Sequence, residues 1–194
     1  MKNFWCTFVG ELSEQTVEEI IVESNKYEYQ KGEVGLSKHL IENPKIRRSD
    51  IKFLHTHKSK HIADLLMHYA RIANKTDFGF DIDGVQDMQY TEYNSSDDGF
   101  YDWHVDTQWC DSDHMFQRKI SLTVQLSDSD EYEGGDFEIM NTEWDTFLKS
   151  LPEGGIRKKG TIIIFPSFVT HRVTPVTKGK RKSLVTWIDG SAFR

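Results

Sequence analysis

Two residues two apart, His104 and Asp106, carry the strongest chemical signal in this sequence. They lie in Tyr101-Asp102-Trp103-His104-Val105-Asp106, a run of strand-like composition, and alternate residues of a strand face the same way. An imidazole and a carboxylate placed like this can share one divalent metal. A third ligand must come from another strand, and the candidate is His171, in Phe165-Pro166-Ser167-Phe168-Val169-Thr170-His171-Arg172-Val173. Two histidines and one carboxylate make a facial triad that suits Fe(II) and leaves three octahedral positions open. The same donors also suit Zn(II) in a hydrolase. A lone His-x-Asp pair is common on surface strands, so the wider arrangement decides.

A basic residue follows at the right distance. Arg181 stands ten positions past His171, and Ser183, two further on, faces the same way in the segment Lys180 to Ile188, which begins polar and ends as a buried strand. A planar guanidinium and a hydroxyl together grip a carboxylate through charge-assisted hydrogen bonds. The competing reading is a solvated basic turn over Lys178 to Lys182.

The elements that must position these residues fall into two halves. The first, about residues 1–80, is helical support. Ser13 can cap a helix within Glu11 to Gln30, and Ser59 a second one whose face is Ile62, Leu65, Leu66, Tyr69 and Ile72. Ile46 to Leu54 reads as one short strand. From about residue 81 to 194 the pattern has period two. Val85 to Tyr93, Gly99 to Thr107, Lys119 to Leu126, Asp136 to Met140, Thr161 to Phe165, Val169 to Thr174 and Lys182 to Ile188 read as strands between Gly-, Ser- and Asp-rich turns. The expectation is one α+β, mainly β domain over 1–194, with N-terminal helices packed on one sheet of a sandwich or barrel.

Composition bounds the rest. The chain has 194 residues, 37% hydrophobic and 28% charged, enough apolar material for a core. A net charge of −7 disfavours a broad phosphate-binding surface, so no nucleic-acid partner is expected. The two cysteines, Cys6 and Cys110, form no zinc pair and no disulfide framework. No apolar run reaches a membrane span, and the N-terminal run is short for a signal peptide. A cytoplasmic location without membrane attachment is the expectation.

At this point the residues resemble a family. His104-x-Asp106, His171 and Arg181-x-Ser183 are similar to the motifs of the Fe(II)- and 2-oxoglutarate-dependent oxygenases, in particular the prolyl-4-hydroxylase-like, PKHD-type hydroxylases of small prokaryotic or phage kind. Ile46-Arg47-Arg48-Ser49 resembles the family's N-terminal strand motif. Tyr132-Glu133-Gly134-Gly135-Asp136-Phe137 resembles its glycine turn, and Phe165 to Gly179 its distal-histidine block. The resemblance runs from about Ile46 to Arg194 and implies a double-stranded β-helix, a cupin-like jelly roll with the metal at its open end. It implies Fe(II), 2-oxoglutarate and O₂, with ascorbate as a candidate reductant. Arg181 and Ser183 would then hold the distal carboxylate of the keto acid. An assisting tyrosine is implied too. Tyr93 matches best, and Tyr90 stays open because Asn94 to Asp98 is longer than the common pattern. Thr123 is a further candidate for the pocket wall.

The implied reaction is hydroxylation of an unactivated C–H bond, with succinate and CO₂ released, on a prolyl residue of a protein or peptide. Tyr101 and Arg118 are the candidates for the substrate side. A free amino acid, another small molecule or an alkylated nucleobase is the alternative substrate, and a non-catalytic jelly-roll binding module the alternative class. After Arg181 the next arginine is Arg194, so the second arginine of the nucleic-acid demethylases is missing. His55, His57, His61 and His68 read as surface histidines, and Trp103 and Trp187 as core.

Overall fold

The computed structural model of the chain describes residues 1–35, 40–107, 116–151 and 155–192. Cys110 and Arg194 lie outside them. The elements are β1 (Cys6–Phe8), α1 (Glu14–Ser24), β2 (Gln30–Lys31), β3 (Arg47–Arg48), β4 (Asp50–Leu54), α2 (Lys60–Ala73), β5 (Met88–Asn94), β6 (Phe100–His104), β7 (Phe116–Gln125), β8 (Tyr132–Gly134), β9 (Phe137–Ile139), α3 (Thr142–Ser150), β10 (Ile162–Pro166), β11 (His171–Val173) and β12 (Val176–Ser191).

Two antiparallel sheets form, as a jelly roll requires. The larger has the order β1-β10-β7-β12-β5-β4-β2, with β8 added to β12. The smaller is β3-β6-β11-β9. Period two sorts the side chains of the large sheet. On its outer face Met88, Tyr90, Leu122, Val124, Ile162, Ile164, Leu184 and Ile188 pack with Val17 and Ile20 of α1 and Ile62 and Leu66 of α2. On its inner face Tyr93, Ile163 and Phe165 meet Phe137, Ile139 and Val173 of the small sheet. The helices therefore back one sheet, as expected, and the space between sheets is left for chemistry.

Ser13 caps α1, its Oγ accepting the Thr16 N–H at 3.1 Å. The helix ends at Ser24, short of Gln30, because Ser24 Oγ turns back to the Ile21 carbonyl at 2.7 Å and the chain then leaves to pair β2 with β4. Ser59 precedes α2 but does not cap it; its hydroxyl donates to Glu23 Oε1 at 2.8 Å, tying the helices together. The buried face of α2 includes Ala63, Ala70 and Ala73, small residues that let the helix lie close to the sheet, while Ile72 is exposed. Leu66 is fully buried in this layer, so Leu66→Ala should destabilise the protein by about 2–5 kcal/mol. Urea unfolding checks this, and a negligible loss would mean α2 does not pack here.

Two further expectations are corrected, and one unassigned stretch gains a helix. Ile46 to Leu54 is not one strand: Arg47–Arg48 pairs with β6 in the small sheet, and Asp50–Leu54 with β5 in the large one. Thr142–Ser150, unassigned by its pattern, is a helix capped by Asn141 and anchored by the buried Trp144. Lys178-Gly179-Lys180 is not a turn but the bend inside the long β12, which pairs with β8 before it and with β5 and β7 after it. Gly179 makes the bend: its φ is +70°, and a Cβ there would collide with the Glu131 carbonyl. Among the described residues no helix is long and apolar enough to cross a membrane.

Candidate active site

His104, at the end of β6, pairs directly across from His171 on β11, and Asp106 follows just past β6. Asp106 is fixed there by its backbone, whose N–H bonds the Ser167 carbonyl at 2.8 Å. The ligand atoms of the three side chains all lie within 4.8 Å of one another. Asp106 Oδ1 is 3.8 Å from His104 Nε2, and Oδ2 is 3.6 Å from His171 Nε2. Each Nδ1 faces a carbonyl: Asp102 O at 2.7 Å for His104, Val169 O at 2.9 Å for His171. A carbonyl only accepts, so each Nδ1 carries the hydrogen and each Nε2 turns a lone pair inward. Burial, with His171 alongside, pushes the His104 imidazole down to about 4 despite the pull of Asp106, which keeps it neutral, the form that ligates. Burial raises the Asp106 carboxyl, but His171, His104, Arg118 and the Ser121 hydrogen bond outweigh it and hold the group below the usual carboxylate range. Donor set, tautomers and charge states thus fit a divalent cation.

Ser121 was not legible as a site residue. Its Oγ donates to Asp106 Oδ2 at 2.6 Å and contacts Ser167 Oγ at 3.0 Å. It orients the carboxylate from behind. Ser121→Ala should weaken metal binding by about 10–100-fold, the usual cost of losing such a partner. Equilibrium dialysis against Mn(II) measures it, and unchanged affinity would remove Ser121 from the site.

The triad opens into a cavity of about 660 Å³ between the sheets. Arg181, Ser183, Val185 and Trp187 of β12 line it in alternation, with Tyr93 and Gln89 of β5 and Thr123 of β7. Arg181 is 2% exposed and stands opposite Tyr93 in register, with the guanidinium 5.6 Å from the ring centroid. The solvated-turn reading of this segment is therefore overturned. A buried cation facing a cavity beside Ser183 suits an incoming carboxylate.

A family model described as the 2OG-Fe(II) oxygenase superfamily matches residues 88–189, just over half of the chain and the stretch holding all of these residues. The chain belongs to that superfamily. Among curated relatives it is similar to PKHD-type hydroxylases. One from Synechococcus sp. (strain CC9311) is 41% identical over 93 residues, covering 47% of this chain and 37% of the relative. One from Colwellia psychrerythraea is 35% identical over 91 residues, covering 47% and 38%. The matched segment thus spans well under half the length of those relatives. Three solved structures share the fold. A viral collagen prolyl hydroxylase from Paramecium bursaria Chlorella virus-1 gives a TM-score of 0.68 at 22% identity, covering 97% of both chains. A Pseudomonas putida prolyl-4-hydroxylase gives 0.69 at 17%, covering 97% and 94%. A Trichoplax adhaerens prolyl hydroxylase, solved with a hypoxia inducible factor peptide fragment, gives 0.71 at 14%, covering 96% and 83%.

The remaining expected site residues of this superfamily member divide clearly. Tyr93 faces the cavity, whereas Tyr90 faces the helices and donates to Glu92 Oε1 at 2.9 Å; Tyr90 is not at the site. Three residues of strand place them on opposite faces. Tyr101 lies flat on His104, ring centroids 3.5 Å apart. Arg118 stacks on Trp187 at 3.8 Å and donates from Nε to Gln86 Oε1 at 2.9 Å. Trp187, expected as core, is a cavity wall with a buried, unpartnered Nε1. Trp103 instead lies under the Arg172 guanidinium, 4.5 Å away. His55 meets Asp87 at 2.9 Å, and among the described residues His104, Asp106 and His171 form the one cluster with metal-ligand geometry.

Proposed function

We propose that this chain is an Fe(II)- and 2-oxoglutarate-dependent hydroxylase acting on a protein or peptide, with a prolyl residue as the target. The observation that carries the reading is one cavity with the two-His, one-Asp cluster at one end and, on its wall, the buried Arg181, which has no carboxylate partner among the described residues. His104 and His171 would hold the metal through Nε2, and Asp106 through its carboxylate. Arg181 and Ser183 would hold the distal carboxylate of the keto acid, with Tyr93 beside it and Thr123 on the wall. When bound, the metal and keto acid supply the oxidising chemistry, which turns 2-oxoglutarate and O₂ into succinate, CO₂ and a hydroxyl on carbon. Phe137 and Phe165 pack against His171 and exclude water from its flank. Tyr101 and Arg118 border the open side, where the substrate would lie. No side chain is required as a general base; the protein orients and shields. Ascorbate would act as an accessory reductant.

The prolyl assignment is supported by the names of the similar proteins, and the acidic net charge of −7 weighs against nucleic acid. The test is incubation with Fe(II), 2-oxoglutarate and a proline-containing peptide library. Succinate formation coupled to a gain of one oxygen on proline is the expected result. Succinate coupled to loss of a methyl group from an alkylated base would replace the substrate, and no keto-acid turnover with any substrate would leave a binding module.

A further inference from the structure

Arg47 has no part in the reading above. It lies on β3, is 7% exposed and lines the cavity. Its Nε donates to Ser49 Oγ at 2.8 Å and its Nη1 to the Glu33 carbonyl at 3.2 Å. Its Nη2 is buried with no partner. Both acceptors are neutral, and among the described residues no carboxylate pairs with it. Buried charges are normally paired, and this guanidinium keeps one buried donor, Nη2, available to an anion. Its place is well defined: the guanidinium sits 4.6 Å over the Tyr101 ring, which in turn lies on His104. The cation is thus one ring away from a residue of the triad.

The keto acid does not account for it. Its two carboxylates already have places, one at the triad and one at Arg181 and Ser183 on β12 of the large sheet. Arg47 belongs to the small sheet, on the wall that carries Tyr101.

We propose that Arg47 binds a carboxylate carried by the substrate, so that this site takes a carboxylate-bearing substrate. The proposal rests on the hydroxylase reading and narrows it. The carboxylate has two sources, a free α-carboxylate or an Asp or Glu side chain beside the target in a peptide. Either meets Nη2 with a charge-assisted bond that a neutral amide cannot match.

The test is calorimetric titration of the Mn(II)- and 2-oxoglutarate-loaded chain with two matched pairs. One is L-proline against L-prolinamide; the other is an acetylated, amidated peptide containing Pro-Asp against its Pro-Asn counterpart. In one pair the carboxylate member should bind roughly thirtyfold tighter or more, as for a buried charge pair, and that pair identifies the source. Arg47→Gln should erase the preference while 2-oxoglutarate affinity stays at the parent value. Arg47→Lys should keep part of it, which separates lost recognition from lost fold. Absence of discrimination in both pairs overturns the proposal, as does a preference that survives Arg47→Gln. So does a loss of keto-acid affinity in that variant, which would make Arg47 a second keto-acid anchor. If 2-oxoglutarate does not bind the parent at all, the hydroxylase reading fails, and the same pairs titrated into the metal-free chain still decide for or against Arg47.

Discussion

Arg181→Ala should weaken 2-oxoglutarate binding by roughly two to three orders of magnitude, since removing one partner of a buried charge pair costs about 3–5 kcal/mol and each 1.4 kcal/mol is tenfold. Arg181 is 2% exposed, and truncating it leaves an incoming carboxylate without its charged partner there. Ser183 remains but supplies only one neutral hydrogen bond. Arg181→Lys should fall between, because an ammonium keeps the charge and loses the planar fork. The variant should fold: in the chain without keto acid this cation is buried beside the Tyr93 ring without a carboxylate partner among the described residues, so its removal relieves a desolvation cost. Metal affinity should be unchanged, because His104, Asp106 and His171 keep their own hydrogen bonds. Anaerobic titration of 2-oxoglutarate into the Mn(II) protein measures the effect. Parent-like keto-acid affinity in Arg181→Ala would move the anchor elsewhere on the cavity wall, with Arg47 and Arg118 next to be tested.

The parts of this site visible in the sequence are those set by local geometry. Strand alternation pairs Arg181 with Ser183, and this holds in space; His104 and Asp106 also come together, but β6 ends at His104 and a backbone bond to Ser167 places Asp106. What needed the structure depends on how strands meet. Tyr90 and Tyr93 look alike in a linear reading, and the register that sets Tyr93 against Arg181 separates them. The irregular stretch after Tyr93 hid that register: Ser95–Asp97 forms a short helical turn, and Asp98 adopts a φ of 48°. Ser121 reaches Asp106 only because β7 passes behind the triad, a contact fifteen residues away in sequence. Trp187 has the composition of a core residue and the burial of one, yet it faces the cavity because β12 alternates through Arg181, Ser183 and Val185. Arg47 was legible only as part of a motif; that its Nη2 lacks an acceptor is a property of the packed fold. The helix Thr142–Ser150 did carry a local signal, the Asn141 side chain that accepts the Glu143 N–H at 2.8 Å, but its apolar positions are few.

His171→Ala should abolish both tight metal binding and keto-acid turnover. Three protein ligands are the minimum that fixes a facial site, and two, His104 and Asp106, leave the ion held as loosely as by any surface pair. The loss should exceed the 10–100-fold expected of Ser121→Ala, roughly the cost of removing an orienting partner rather than a ligand. The imidazole is well placed to be a ligand and poorly placed to be only structural. It is 6% exposed, its Nδ1 is spent on Val169 O at 2.9 Å, and its Nε2 faces the Asp106 carboxylate at 3.6 Å within the cluster it forms with His104. A histidine kept for packing would not need a free nitrogen pointed at a carboxylate in a cavity. Phe165 and Phe137 flank the ring, with centroids 4.5 and 5.7 Å away, and remain to fill the wall, so the β11 pairing with β6 and β9 should survive the truncation. Circular dichroism tests the fold, and dialysis against Mn(II) followed by succinate measurement tests the site. A variant that keeps parent-like metal affinity with the fold intact would show that the third ligand is another residue. A variant that loses metal together with its fold would call for His171→Gln, which keeps the volume and a polar tip and should still lose the metal.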